Sequence, residues 1–133
     1  MAIQYSTAVR DAQNDALETA TGVSPTLEIR TGAQPANTAA AASGTLLATG
    51  VLPADWLTAS ASGLKAKNGV WTATGQAGAG AGTAGGHFRI LQGATCHMHG
   101  SFGAASDMVP DNNNIATAQV VTVTAFYFTR NNA

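Results

Sequence analysis

After Gly22 the chain turns to runs in which apolar residues recur at every second position. That spacing fits strands and fits helices poorly, because only a strand returns a side chain to the same face every two residues. "TLEIRT" sets Leu27 and Ile29 against Glu28 and Arg30, and "TLLATGVL" reads as the next strand, ended by Pro53. In "LKAKNGVWTAT" the dipeptide Asn68-Gly69 lies between two alternating runs, which predicts a hairpin. "HFRILQ" and "TCHMHGSF" flank a turn at Gly93, and "DMVPDNNN" reads as a short strand entering an Asn-rich turn. "AQVVTVTAFYFT" is the longest run. Val121, Val123, Ala125 and Tyr127 fall on one face, with Val120, Thr122, Thr124, Phe126 and Phe128 on the other. Apolar bulk on both faces predicts a central strand. No helical pattern separates these runs, so a parallel sheet is not expected. The expectation is an all-β fold over 25–130, an antiparallel sandwich or barrel of about eight strands, in a single domain spanning 1–133.

Before Gly22 the period differs. Val9, Ala12, Ala16 and Ala20 recur at steps of three and four with Leu17 beside them, predicting one N-terminal α-helix over 6–21. Ser6 or Thr7 can cap its start and Gly22 can stop it. The stripe is mostly alanine and buries little area, so the helix either packs on its own domain, the expected case, or docks on a neighbouring subunit. Asp11, Asp15 and Glu18 are expected to form its solvated face. Trp56 and Leu57 read as core plugs. The segment "GQAGAGAGTAGG", 75–86, is a Gly/Ala-rich loop too small-sided to pack a core, expected at the surface or against another subunit. It is no phosphate loop, because no Lys-Ser/Thr ends it and no helix follows.

Only 10% of the residues are charged, against about 25% in ordinary domains. A surface so poor in charge points to extensive cover by partners. The net charge of −1 leaves no electrostatic footprint for nucleic acid. No apolar run is long enough to span a membrane, and the opening residues lack the pattern of a signal peptide. Synthesis in the cytoplasm is expected. The single cysteine, Cys96, excludes an internal disulfide and reads as a buried thiol.

"HFRILQGATCHMHG" gathers all three histidines and Cys96 within residues 87–100. Strict alternation would put His97 and His99 on one face, and Cys96 and Met98 on the other. Phe88, Ile90, Cys96 and Met98 would then be core, leaving His87, Arg89, His97 and His99 on the wet or partner-facing side. No Asp or Glu lies in the stretch to complete a zinc shell, so no metal and no other cofactor is expected. Ser101, His99 and Asp107 are neighbours in sequence only, no nucleophile elbow is present, and an enzyme is not expected. Trp56, Trp71, Tyr5 and Tyr127 could form a stacking platform, which makes a carbohydrate-binding or adhesion module an alternative.

The segments "MAIQYSTAVRDAQNDALETATG", "LEIRTGAQPAN", "LLATGVLPADW", "KNGVW", "AGGHFRI" and "TCHMHG" resemble small virion structural proteins of tailed bacteriophages, over nearly the whole chain. The resemblance implies a capsid decoration (cement) protein on the virion exterior. It would be made in the host bacterial cytoplasm, bind the major capsid protein and form a homo-oligomer in many copies. A tail-tube or head-tail junction protein is the alternative it leaves open. It carries over no catalytic residue. The interface residues expected are Val9, Arg10, Gln13 and Leu17 on the helix, and His97 and His99.

Overall fold

The structure, a computed structural model, describes residues 2–132. One helix, α1 (Thr7–Thr21), precedes ten strands: β1 (Thr26–Arg30), β2 (Leu46–Val51), β3 (Leu64–Ala66), β4 (Thr72–Gly75), β5 (Thr83–Ala84), β6 (His87–Gln92), β7 (Thr95–Ser101), β8 (Met108–Pro110), β9 (Asn114–Ile115) and β10 (Val120–Thr129). Eight of them form one antiparallel sheet, ordered β3–β10–β4–β2–β1–β6–β7 with β8 also on β10; β5 and β9 form a small second sheet. The main sheet curls on itself into a half-barrel. Its two ends approach through a bridge between Phe102, just past β7, and Met108 of β8.

Alternation explains β1, where Leu27 and Ile29 are fully buried and their neighbours partly exposed. The core they enter is aromatic. Trp71 stacks between Trp56 and Phe126 at centroid distances of 5.8 and 5.2 Å, and Phe88 meets Phe126 edge-on at 5.6 Å across the curl. Each fully buried large side chain contributes roughly 1.5–3 kcal/mol. Both indole N–H groups are satisfied: Trp56 donates to the Gly22 carbonyl, and Trp71 to the Trp56 and Asn68 carbonyls.

Four expectations need correction. First, β3 and β4 form no hairpin with each other. They take successive stretches of β10, with Ala66 opposite Tyr127 and Thr72 opposite Thr122. Asn68-Gly69 lies in the bulged link between them, where burial of Trp71 rather than strand pairing sets the path. Second, β10 changes face midway. A register shift between Val123 and Ala125 lets Phe126 follow Val121 and Val123 into the core, while Tyr127 is 62% exposed. Such a bulge adds one residue and reverses the alternation beyond it.

Third, the Gly/Ala-rich segment lies largely at the surface, as expected, but also contributes to the core. It holds a 3-10 turn (Ala77–Ala79) whose Ala79 is buried in the core. At Gly75 a Cβ would collide with the Ala116 carbonyl oxygen, so this close backbone approach requires glycine. Fourth, α1 lies with its polar side inward. Ser6 caps it, accepting from the Val9 N–H, and the Gly22 N–H returns to the Glu18 carbonyl at the other end. Asn14 is fully buried, whereas Val9, Ala12, Ala16 and Ala20 are exposed. Asp11, Asp15 and Glu18, expected as a solvated face, contact the body, although Asp15 stays half exposed.

Candidate functional site

The outward face of β1, β6 and β7 concentrates the ionisable groups. Register places Arg89 of β6 between Glu28 of β1 and His99 of β7, and His87 between Arg30 and Ser101. β6 is central, and all of its residues except Gln92 are buried. His87 is fully buried and Arg89 is 6% exposed, which corrects the expectation that they lie on the wet or partner-facing side. A second bulge, opposite Ile90 and Leu91, moves Cys96 onto the same face as Arg89 and His99 and leaves His97 as the exposed extra residue. His97 therefore falls out of the regular alternation that would have set it beside His99. The cause is again a bulge that alternation cannot anticipate. Met98 points inward and packs against the core, as expected.

Charges on this face are unevenly paired. Glu28 accepts from Arg30 Nε at 2.9 Å. Among the described residues Arg89 has no ion-pair partner, and its buried Nε makes no hydrogen bond. The His87 Nδ1 lies 2.9 Å from the Gly32 carbonyl, which identifies that nitrogen as the protonated one. Its Nε2 is buried without a partner, as is His99 Nδ1. Burial holds the His99 imidazole below its ordinary pKa of 6.5, and the guanidinium charge of Arg89 pushes the same way, as His87 does when it carries a second proton. Ser101 and Asp107 are bonded directly: the hydroxyl donates to Oδ2 at 2.8 Å, with no imidazole interposed. This is a loop clasp, not the relay geometry of a nucleophilic triad. No three His, Cys, Asp or Glu side chains among the described residues come together as a metal-ligand group.

A second ionic cluster lies between α1 and the segment running into β3. The Lys65 side chain is 1% exposed, and its ammonium contacts Asp15 at 2.7 Å and Glu18 at 2.8 Å. It also donates to the Thr58 carbonyl at 2.7 Å, which occupies its third proton. Burial alone would lower the Lys65 pKa; the hydrogen bonds to Asp15 and Glu18 outweigh it and raise the pKa above 10.5. A lysine so saturated holds its proton and cannot act as nucleophile or base. Asp11 accepts from Ser60 Oγ and the Gly63 N–H, and Asn14 Nδ2 donates to Ser60 Oγ and the Gly63 carbonyl. Beside this seam is an open hollow of about 740 Å3 that includes Asp55 and Val23. A smaller groove of about 340 Å3 runs between β7 and the end of β10, over Leu17, Phe88, Met98 and Phe128.

The residues expected at an interface therefore divide. Val9 is 42% exposed and His97 is exposed, while Gln13 and His99 are half-buried. Arg10 is tied to its own chain, donating to the Arg130 carbonyl at 2.9 Å, and Leu17 packs partly against the core. Of the four aromatics of the stacking platform, Trp56 and Trp71 are fully buried; only Tyr5 and Tyr127 are exposed. The sequence reading missed the Lys65 cluster. Its one signal was a lone Lys in the short apolar run "LKA" at the position a core residue would take. No helix among the described residues is long and apolar enough to cross a membrane. No family model matches the chain, and no curated protein or solved structure matches it.

Proposed function

We propose that the chain is a structural protein of a tailed-bacteriophage virion, a decoration protein that coats the capsid exterior in many copies and binds the major capsid protein without catalysis. The observation that carries this reading is the orientation of α1. Its Val9–Ala12–Ala16–Ala20 stripe points away from the body and is exposed. A helix held on by its polar side, with its small apolar side free, is built to meet a second flat surface. Small side chains let that surface approach closely, and a charge-poor surface lowers the desolvation cost of contact. Each such contact is weak, but copies on a symmetric shell add theirs together. Binding only the assembled shell stabilises it by mass action. The resemblance of the six segments to tailed-phage virion proteins supplies the identity of the shell.

The test is Ala16→Glu, which places a charge in the middle of the stripe. The purified variant keeps the wild-type melting temperature, and it fails to sediment with particles lacking the wild-type protein. Undiminished binding with full occupancy of the shell in a density map would overturn the role of this face. Occupancy confined to a single ring at the portal vertex would overturn the decoration role in favour of the head-tail junction.

A further inference from the structure

We propose that the outward face of β1, β6 and β7 is a proton-linked binding site for an oxyanion, held by Arg89, His87 and His99. The three side chains are brought together by register alone. Arg89 stands directly opposite His99, and His87 lies two residues before Arg89 on the same face. Each has a buried nitrogen without a hydrogen-bond partner: Arg89 Nε, His87 Nε2 and His99 Nδ1. Buried polar groups are ordinarily paired, and three unpaired ones on a single patch are a shared deficit that one ligand can fill. The permanent guanidinium charge in the middle of the row excludes a cation and selects an anion. Glu28 does not fill the role, because its carboxylate is engaged with Arg30. Asp107, on the segment after β7, is held by the Ser101 hydroxyl and N–H. The remaining neighbours, His97 and Cys96, bring no carboxylate to the patch. Access is from the side of β7, the last strand of the sheet order, where His99 is only half-buried.

Protons enter through tautomer chemistry. His87 Nδ1–H donates a hydrogen bond to the Gly32 carbonyl, so the neutral ring offers only a lone pair at Nε2. An anion can bond that nitrogen only after the ring takes up a second proton. His99 is biased against protonation by burial and by the Arg89 charge, which an anion would neutralise. Anion and proton therefore bind together, and affinity rises as pH falls through the imidazole range. The shared chemistry is an oxygen anion, either of the sulfate and phosphate type or a carboxylate.

The experiment follows the three imidazoles of the full chain by NMR across pH, in sodium sulfate, sodium acetate and sodium chloride at matched ionic strength. Sulfate or acetate is expected to move the His87 and His99 midpoints upward, saturably, by about one pH unit. His97, exposed on the bulge, serves as the internal reference and stays in place. A response to sulfate alone assigns the site to the tetrahedral oxyanions, and one to both salts includes carboxylates. Arg89→Met abolishes the displacement; if its spectrum shows an unfolded chain, His99→Gln, at the half-buried edge, must lower the saturation affinity at least tenfold. Midpoints that do not move, or that move equally for all three histidines in all three salts, overturn the proposal.

Discussion

At the scale of single residues, Lys65 decides more than its size suggests. A buried ammonium is stable here only because three acceptors surround it. The two ends of the pair are unequally buried: the lysine is 1% exposed, the Asp15 side chain 50%. Removing the lysine returns the carboxylates to water, whereas removing the carboxylates strands a charge inside. Chemical denaturation should therefore rank the Asp15→Asn/Glu18→Gln double variant well below Lys65→Met, and Lys65→Met modestly below wild type. Equal losses would mean that the ion pair, rather than the buried charge, sets the cost. Asp15 also gives the protein an acid limb. Its pKa is held below 3.8, first by the hydrogen bond from Lys65 and then by the Ser60 N–H. A group whose folded pKa is depressed supplies stability above its unfolded value, lost as pH falls through the folded one. Stability from this group is thus complete above pH 3.8 and declines below it. In Asp15→Asn, denaturation midpoints measured down through that range should fall less steeply than in wild type.

At the scale of elements, regular alternation was legible in the sequence and its interruptions were not. β1 reads correctly from "TLEIR" because its own burial alternates without a break; the register shift against β2 at Ile29/Arg30 leaves its extra residue, Leu47, on β2. β7 and β10 each carry a bulge, and a bulge leaves no mark in a period-two pattern beyond a run that seems apolar on both faces. Thus "VVTVTAFYF" looked two-sided, although Val121, Val123 and Phe126 share one interior. The candidate site suffered most, since the bulge in β7 decides which of Cys96, His97 and His99 share a face. Helix α1 was legible in extent but not in orientation. A hydrophobic stripe normally seats a helix. Here Ser60, Gly63 and Lys65, some fifty residues away in the chain, offer donors and acceptors to Asp11, Asn14 and Asp15 instead. Two substitutions about half a turn apart separate the two faces. Asn14→Ala deletes two hydrogen bonds of a fully buried amide and leaves the Gly63 carbonyl short of a donor. Its cost is about 1–3 kcal/mol. Ala16→Glu, on the outward stripe, stays within about 0.5 kcal/mol of wild type. Thermal melts of the two variants check both values, and a large loss in Ala16→Glu would mean that the stripe is packed within the monomer.

At the scale of the whole molecule, the helix and the half-barrel need each other. An isolated helix of 15 residues is marginal in water, and the exposed stripe of α1 gains little from its own body. The barrel, for its part, buries the Lys65 ammonium and the Trp56 indole, whose partners are Asp15, Glu18 and the Gly22 carbonyl. The chain ends close the same circuit. Tyr5 and Asn132 exchange two hydrogen bonds, of 2.7 and 3.0 Å, and Arg10 reaches the Arg130 carbonyl just past β10. β10 in turn pairs with β3, β4 and β8, so strain on the helix reaches half of the sheet through one strand. Neither part can open without leaving the other's polar groups unpaired. The helix signal in far-ultraviolet circular dichroism should therefore disappear at the same temperature as the tryptophan fluorescence of the core, and calorimetric and van't Hoff enthalpies should agree. An earlier loss of helix signal, with Trp56 and Trp71 still buried, would mean that the helix is an appendage. In that case the Lys65 seam would contribute little to the fold, and the outward stripe would be presented by a segment free to undock.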